Sequence, residues 1–176
     1  LETERLLLRD WRPEDAEDLY EYARNGEVGP AAGWKPHESL EESREVISRF
    51  LMEAETYAIV LKENQKVIGS IGLHKKCMDL RLTTLSQRMI GYVLNPAYWG
   101  RGIMPEAVRR LLEYGFDELN LDLIWCGYYD FNHKSRRVVE KCGFRYEFTR
   151  KEQRPLLEGG MVNLVYNSIR NEDYRR

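Results

Sequence analysis

The chain has 176 residues, 43% apolar and 32% charged, the balance of a soluble globular domain with enough apolar side chains to fill a core without staples. A formal charge of −2 gives no general attraction to nucleic acid or to an anionic membrane, and no apolar run approaches the roughly 18 residues of a membrane span. Cys77, Cys126 and Cys142 are too widely spaced for a disulfide framework or a metal site, so small buried thiols, no metal and a reducing, cytoplasmic setting are expected.

Residues 5–9 hold three leucines and predict a first strand. Pro13, Glu14 and Asp15 then open a helix whose apolar face is Ala16, Leu19, Tyr20 and Ala23, with Gly26 as its stop. A loop over residues 29–36 carries Trp34. Ser39 and Glu42 match a capping box for a second helix, with Val46, Ile47, Phe50 and Leu51 facing inward. Residues 57–61 and 67–74 read as a hairpin around a polar turn, and residues 75–88 as a polar, irregular loop.

The most informative stretch runs from Met89 to Leu119. Residues 89–94 predict a strand that stops at Asn95 and Pro96, where proline removes a ladder donor. Tyr98, Trp99, Gly100, Arg101 and Gly102 follow as a turn. From Met104 the period changes, placing Ala107, Val108, Leu111, Leu112, Gly115 and Leu119 with it on one helical face. Pro105 fits the first turn of that helix. Free amides at a helix start, with glycines admitting a ligand, point to a phosphate-bearing cofactor, although a plain crossover turn has the same pattern.

A further strand over residues 123–129 precedes a short helix opened by Asn132, with Val138, Val139 and Cys142 buried and Gly143 at its end. Residues 144–154 and 161–169 predict two last strands joined around Glu158, Gly159 and Gly160, and residues 171–176 a mobile tail. The order predicts an α+β fold in one domain over residues 1–176, with a central, mostly antiparallel sheet of six to seven strands and helices on both faces. The strands at 89–94 and 123–129 are joined by a full helix and should be its one parallel pair, with ligands at their C-terminal ends.

Several separated motifs resemble one family. They are Thr3-Glu4-Arg5-Leu6-Leu7-Leu8-Arg9, Ile90-Gly91-Tyr92, Tyr98-Trp99-Gly100-Arg101-Gly102-Ile103-Met104-Pro105-Glu106-Ala107, Asn132-His133-Lys134-Ser135, Glu140-Lys141-Cys142-Gly143-Phe144 and Leu164-Val165-Tyr166. Together and in this order they resemble the GNAT superfamily of acetyl-CoA-dependent N-acetyltransferases, in particular the branch of ribosomal-protein N-terminal acetyltransferases. The family pattern at the turn is Gln/Arg-x-x-Gly-x-Gly/Ala, and here Trp99 takes the first position, Gly102 the first glycine and Met104 the last.

The resemblance implies that amides across Trp99, Gly100, Arg101, Gly102, Ile103 and Met104 hold the CoA pyrophosphate, and that the parallel pair splays so that Tyr92, Val93 and Leu94 offer an edge to pantetheine. Arg101 would add positive charge or be a solvated surface residue. Asn132 would lie beside the pantetheine arm, and Ser135 near the cofactor sulfur, where it could protonate the leaving thiolate. In this branch a glutamate often precedes Ile-Gly-Tyr, where this chain has Met89, so the usual base is absent and His74 is the candidate for the role. The expected activity is direct acetyl transfer from acetyl-CoA to a primary amine, as a monomer or homodimer. The expected acceptor is a peptide N-terminus; a small amine such as a polyamine or aminoglycoside, and a weakly catalytic CoA-binding module, are the alternatives.

Overall fold

The computed structural model describes residues 1–153 and 160–174. Its strands are β1 (Leu6–Arg9), β2 (Thr56–Leu61), β3 (Lys66–His74), β4 (Gln87–Leu94), β5 (Leu123–Tyr129), β6 (Arg145–Gln153) and β7 (Met161–Arg170). They form one sheet in the order β1-β2-β3-β4-β5-β7-β6. Every neighbouring pair is antiparallel except β4 and β5, which a helical crossover brings back to the same end. The mixed sheet with one parallel pair is therefore the one the sequence predicts.

The helices are α1 (Ala16–Ala23), α2 (Gly29–Ala32), α3 (Leu40–Glu53), α4 (Ile103–Glu113), α5 (His133–Lys141) and α6 (Asn171–Tyr174). Strand alternation gives the sheet two apolar faces. Ile71, Ile90 and Ile124 pack with Ala107, Val108, Leu111 and Leu112 of α4. Ala58, Val60 and Val67 pack on the other face with Leu19, Tyr22 and Ile47 of α1 and α3.

Several expectations are corrected. The stretch read as a loop contains α2, a single turn with Pro30 near its start and Gly33 closing it at φ 94°. The tail likewise holds α6, whose Tyr174 ring lies 5.0 Å from that of Phe116. Leu51 is exposed, because the inward stripe of α3 runs through Ser43, Ile47 and Phe50 and leaves Leu51 on its flank. Ser43 can be buried there because its hydroxyl meets His37 Nδ1 at 2.8 Å. Cys77 is exposed in the irregular segment after β3, whereas Cys126 and Cys142 are buried.

The end of α4 departs from the expected face for a clear reason. Tyr114–Glu118 continue the helix as a π turn, and the Leu119 amide donates to Tyr114, five residues back, at 3.1 Å. The wider turn advances the register by one residue. Leu119, expected inside, turns to solvent, and Phe116, outside the predicted stripe, becomes fully buried. Ser39 caps α3 through its hydroxyl and the Glu42 amide at 3.1 Å, while the Glu42 carboxylate serves the amide of Glu38. Arg154, Glu158 and Gly159 of the predicted final hairpin, and residues 175 and 176 of the tail, lie outside the described residues. No described helix is long and apolar enough to cross a membrane.

The π turn makes a direct prediction. Phe116→Ala should cost about 3–5 kcal/mol in denaturant unfolding, the loss for a fully buried phenylalanine. Leu119→Ala, the residue favoured by simple periodicity, should stay within roughly 0.5 kcal/mol of the parent.

Candidate active site

The turn between β4 and α4 is built to leave amides free. Asn95 caps a 3-10 turn over Pro96–Tyr98 by accepting from the Ala97 amide at 3.0 Å. Trp99 is extended, and its indole N–H donates to the Leu94 carbonyl at 2.9 Å. Gly100 and Gly102 adopt φ values of 76° and 72°, in the left-handed region that favours glycine. No atom lies within 4 Å of a Cβ built on Gly100, and on Gly102 only the Arg5 guanidinium comes as near as 3.8 Å. Among the described residues, the amides of residues 100–104 donate to no other group. Bare N–H groups beside open space at a helix start form a cradle for an anion.

The cradle is braced from outside. Arg5 pairs with Glu106 at 2.6 Å and donates to the Arg101 carbonyl at 3.0 Å, tying the first strand's entry to the turn. The Arg101 side chain itself lies over the Tyr98 ring, 5.3 Å from its centroid, and does not line the groove described below.

Beside the turn the parallel pair parts. β4 and β5 are in register only from Gln87 with Leu123 to Ile90 with Cys126. Beyond that β4 stays with β3 to Leu94, and β5 stays with β7 to Tyr129. The Asn95 amide donates to Ile68 of β3, so alternation turns the amides of Tyr92 and Leu94 toward the gap and that of Val93 toward β3. Val93 borders the site through its side chain, on the α1 and α3 face.

A groove of about 1450 Å³ runs through this gap. Its lining includes Tyr92, Val93, Leu94, Trp99, Gly100 and Gly102. Ile103, Met104, Asn132, Ser135 and His74 border it as well. Tyr92 and Ser135 meet hydroxyl to hydroxyl at 2.8 Å. Burial pushes the Tyr92 phenol well above its ordinary value, so it remains protonated and able to donate. Asn132 caps α5 by accepting from the Ser135 amide at 3.0 Å, and its side-chain amide donates to the Ala31 carbonyl of α2 at 3.2 Å. At the turn end, Lys134 sets its ammonium 3.8 Å from the centroid of the Trp99 ring. Arg137 and Lys141 line the same side.

His74 reaches the groove over two glycines. Gly72 and Gly91 are cross-strand partners on β3 and β4. A Cβ on Gly72 would stand 2.5 Å from His74 Nε2, and one on Gly91 would stand 3.5 Å from it. At position 72 the ring thus occupies space that only glycine leaves open, while at position 91 a Cβ would make an ordinary contact with it. Its other nitrogen, Nδ1, faces Glu55 at 3.5 Å. Burial, with Lys76 nearby, lowers the His74 pKa, and Glu55 partly opposes this. The imidazole is therefore neutral near pH 7, as a proton acceptor must be.

Sequence reasoning missed Glu55, Gly72 and the buried polar residues Tyr22, Thr56 and Ser70 that also line the groove. Glu55 and Gly72 carry no motif, and only the strand register brings them to His74. Tyr22 had a partial signal, being on the flank of the predicted α1 face.

Sheet, turn and groove define an acetyltransferase. A family model described as an acetyltransferase (GNAT) domain matches residues 5–145, and the chain belongs to the GNAT family. The uncharacterized N-acetyltransferase YoaA of Bacillus subtilis is 30% identical over 152 residues, covering 84% of this chain and 83% of that protein. A GNAT-family acetyltransferase structure from Bacillus anthracis matches with a TM-score of 0.85 at 27% identity, covering 98% of both chains. Two more distant structures share the fold. Ribosomal-protein-S5-alanine acetyltransferase from Vibrio fischeri has a TM-score of 0.75 at 23% identity, covering 100% of this chain and 98% of that one. Spermidine N-acetyltransferase from Vibrio cholerae, solved with CoA and spermine, has a TM-score of 0.79 at 20% identity, covering 99% of this chain and 100% of that one. The chain is accordingly an N-acetyltransferase.

The histidine environment can be measured directly. In an NMR titration His74 should titrate below the usual 6.5, and Glu55→Gln should lower it further, because the lost carboxylate favoured the charged ring. Burial lowers the His37 pKa too. Both rings bind protons more weakly folded than unfolded, so their stabilising contribution is complete above about pH 6.5. It is lost as pH falls through the folded values. Unfolding midpoints should therefore drop on acidification from pH 7 to pH 5.

Proposed function

We propose that the chain is an acetyl-CoA-dependent N-acetyltransferase whose acceptor is the primary amine of a peptide or protein N-terminus. The observation that carries this reading is the parting of β4 from β5 beside the open glycine turn. The residues present fit CoA: the amides of residues 100–104 suit a pyrophosphate, and Lys134, Arg137 and Lys141 line the same end with positive charge. The inward amides of Tyr92 and Leu94 suit a pantetheine arm lying in the gap. Bound acetyl-CoA supplies the activated acetyl group as a thioester.

The chain's own residues supply the proton transfers. An amine attacks only when neutral, and His74, which lines the groove, is the group suited to take its proton. Glu55 beside Nδ1 steadies the imidazolium that results. The Tyr92–Ser135 hydroxyl pair holds a proton on the opposite face of the sheet, and Ser135 Oγ is the donor suited to a departing thiolate. Met89 stands where the branch often has its glutamate, and His74, its direct cross-strand partner, lies beside that position.

The acceptor choice rests on charge. The Vibrio fischeri neighbour is titled for a ribosomal protein and the Vibrio cholerae neighbour for spermidine. Toward α1 and α3, the carboxylates of Glu27, Glu42 and Glu53 are balanced by Lys35, Arg49 and Lys76. A polycation gains little from such a wall, whereas a peptide N-terminus brings a single ammonium.

Turnover of acetyl-CoA against short peptides and spermidine tests the reading. Peptides should be acetylated with the higher kcat/KM. Faster turnover of spermidine would overturn the acceptor, and no turnover with any amine would overturn the activity. By calorimetry, Gly102→Glu should weaken acetyl-CoA at least tenfold, about 1.4 kcal/mol, by placing a carboxylate in the anion cradle. His74→Gln should lower kcat by roughly 10²–10⁴, the usual worth of a general base, and should flatten the acid limb of the pH–rate profile. An unchanged limb would remove His74 from the mechanism.

A further inference from the structure

The floor of the groove under α1 and α3 holds polar groups that the acetyl-transfer chemistry does not use. Tyr22 is 1% exposed, Ser70 8% and Thr56 9%, and all three line the groove. Among the described residues, Tyr22 OH and Thr56 Oγ1 have no hydrogen-bond partner. Ser70 lies near enough to Tyr22 to favour its ionised form, yet no bond of acceptable geometry joins them. Leaving a buried hydroxyl unmade costs about 1–3 kcal/mol, so two in one wall call for a partner from outside. The third orphan, the Trp11 indole N–H, does not line the groove and has no part in this argument.

Register places these hydroxyls relative to His74. Thr56 is the cross-strand partner of Gly72, over which the imidazole lies, and Gly72 in turn pairs with Gly91. Ser70, Gly72 and His74 alternate along β3, so Ser70 and Thr56 face the same side of the sheet as the ring. Adjacent strands stand about 4.8 Å apart, close to the ~3.8 Å between successive Cα atoms of a peptide. A group that reaches Thr56 from an amine at His74 Nε2 is therefore about one residue away from that amine, and Tyr22 stands beside Ser70 on the same face.

The chemistry of the three is uniform. Each is a neutral hydroxyl able to donate and to accept, and none can neutralise a second charge. Trp34, Phe50 and Val46 complete the walls with apolar surface. We infer that Tyr22, Thr56 and Ser70 form an acceptor-recognition subsite for a neutral amide group adjacent to the reacting amine, the first peptide unit of the acceptor. The phenol would donate to the amide carbonyl and Thr56 Oγ1 would accept from the amide N–H. This rests on the N-acetyltransferase reading above and adds to it the group that the enzyme reads beside the amine.

The test uses the whole chain with three acceptors: an amino-acid amide, a simple alkylamine of similar size, and 1,4-diaminobutane. The parent should prefer the amino-acid amide over the alkylamine by at least tenfold in kcat/KM. Tyr22→Phe and Thr56→Val, which keep the shape, should each reduce that preference about tenfold while leaving the KM for acetyl-CoA unchanged. Both variants should melt at or above the parent temperature, because each removes a buried hydroxyl without a partner. A fall of several degrees would show that the hydroxyl is bonded within the protein and would overturn the subsite. Equal rates with amide and alkylamine, or a preference for the diamine, would overturn the inference and leave acetyl transfer to amines standing. No transfer to any of the three, nor to peptides, would overturn the function itself and the subsite with it.

Discussion

Two strands that run parallel for four residue pairs and then part must leave backbone groups without partners in the sheet. Everything else around the groove follows from keeping that opening rigid. β4 remains zipped to β3 across six register pairs and β5 to β7 across seven, so neither strand can swing back to close the gap. On one side of it, Tyr92 reaches across to Ser135. The Leu94 carbonyl, which would otherwise face the gap, is taken by the Trp99 indole. What stays open is a short row of donors that continues directly into the bare amides of the glycine turn, so sheet and helix present one continuous surface to an extended ligand.

The turn had the clearest signature in the sequence, and the reason is local. A proline stop, glycines at alternate positions and a change of period need no long-range information to be read. The fold class was legible on the same grounds, since a full helix between two strands requires them to run parallel. What sequence could not supply is register. Periodicity carried α4 in phase to Leu119, and a single π turn, invisible in residue type, moved Phe116 into the core instead. In α1, Tyr20 and Tyr22 sit on opposite flanks of the apolar stripe, and helical phase alone favoured Tyr20. The sheet beneath decided for Tyr22, because α1 lies over β3 there.

His74 shows how much of a candidate site lives in pairings. A histidine at a strand end was visible, but its place beside the groove depends on Gly72 and Gly91 meeting across β3 and β4. Neither glycine is in the left-handed region, so neither is there for backbone freedom. Gly72 is small because an imidazole lies over it, whereas a Cβ on Gly91 would meet the ring at an ordinary 3.5 Å contact. Replacing Gly72 by alanine would push the ring toward Glu55 or out of the groove, a change of position rather than of charge. Arg101 illustrates the converse, since its place in the turn allowed either a phosphate contact or a solvated surface residue, and only the structure shows its guanidinium over the Tyr98 ring.

The two ends of the groove are also joined through one side chain. The Asn132 side-chain oxygen accepts from the Ser135 amide, fixing the first turn of α5, and its side-chain N–H donates to the Ala31 carbonyl in α2. Gly33, which closes α2 at positive φ, lies so close to the Tyr129 hydroxyl that a Cβ would stand 2.5 Å from it. The segment around α2 therefore sits against Tyr129 at the end of β5 and against Asn132 at the start of α5. A displacement of α2 would cost Asn132 one of its bonds and loosen the cap that orients Ser135. Since Ser135 also shares a hydrogen bond with Tyr92 on β4, the same movement would be felt on the far side of the gap. The α2 segment and the Tyr92–Ser135 pair are thus linked through Asn132, and on the function proposed above substitutions in residues 29–33 should disturb kcat as well as acceptor KM even though none of them carries a titratable group.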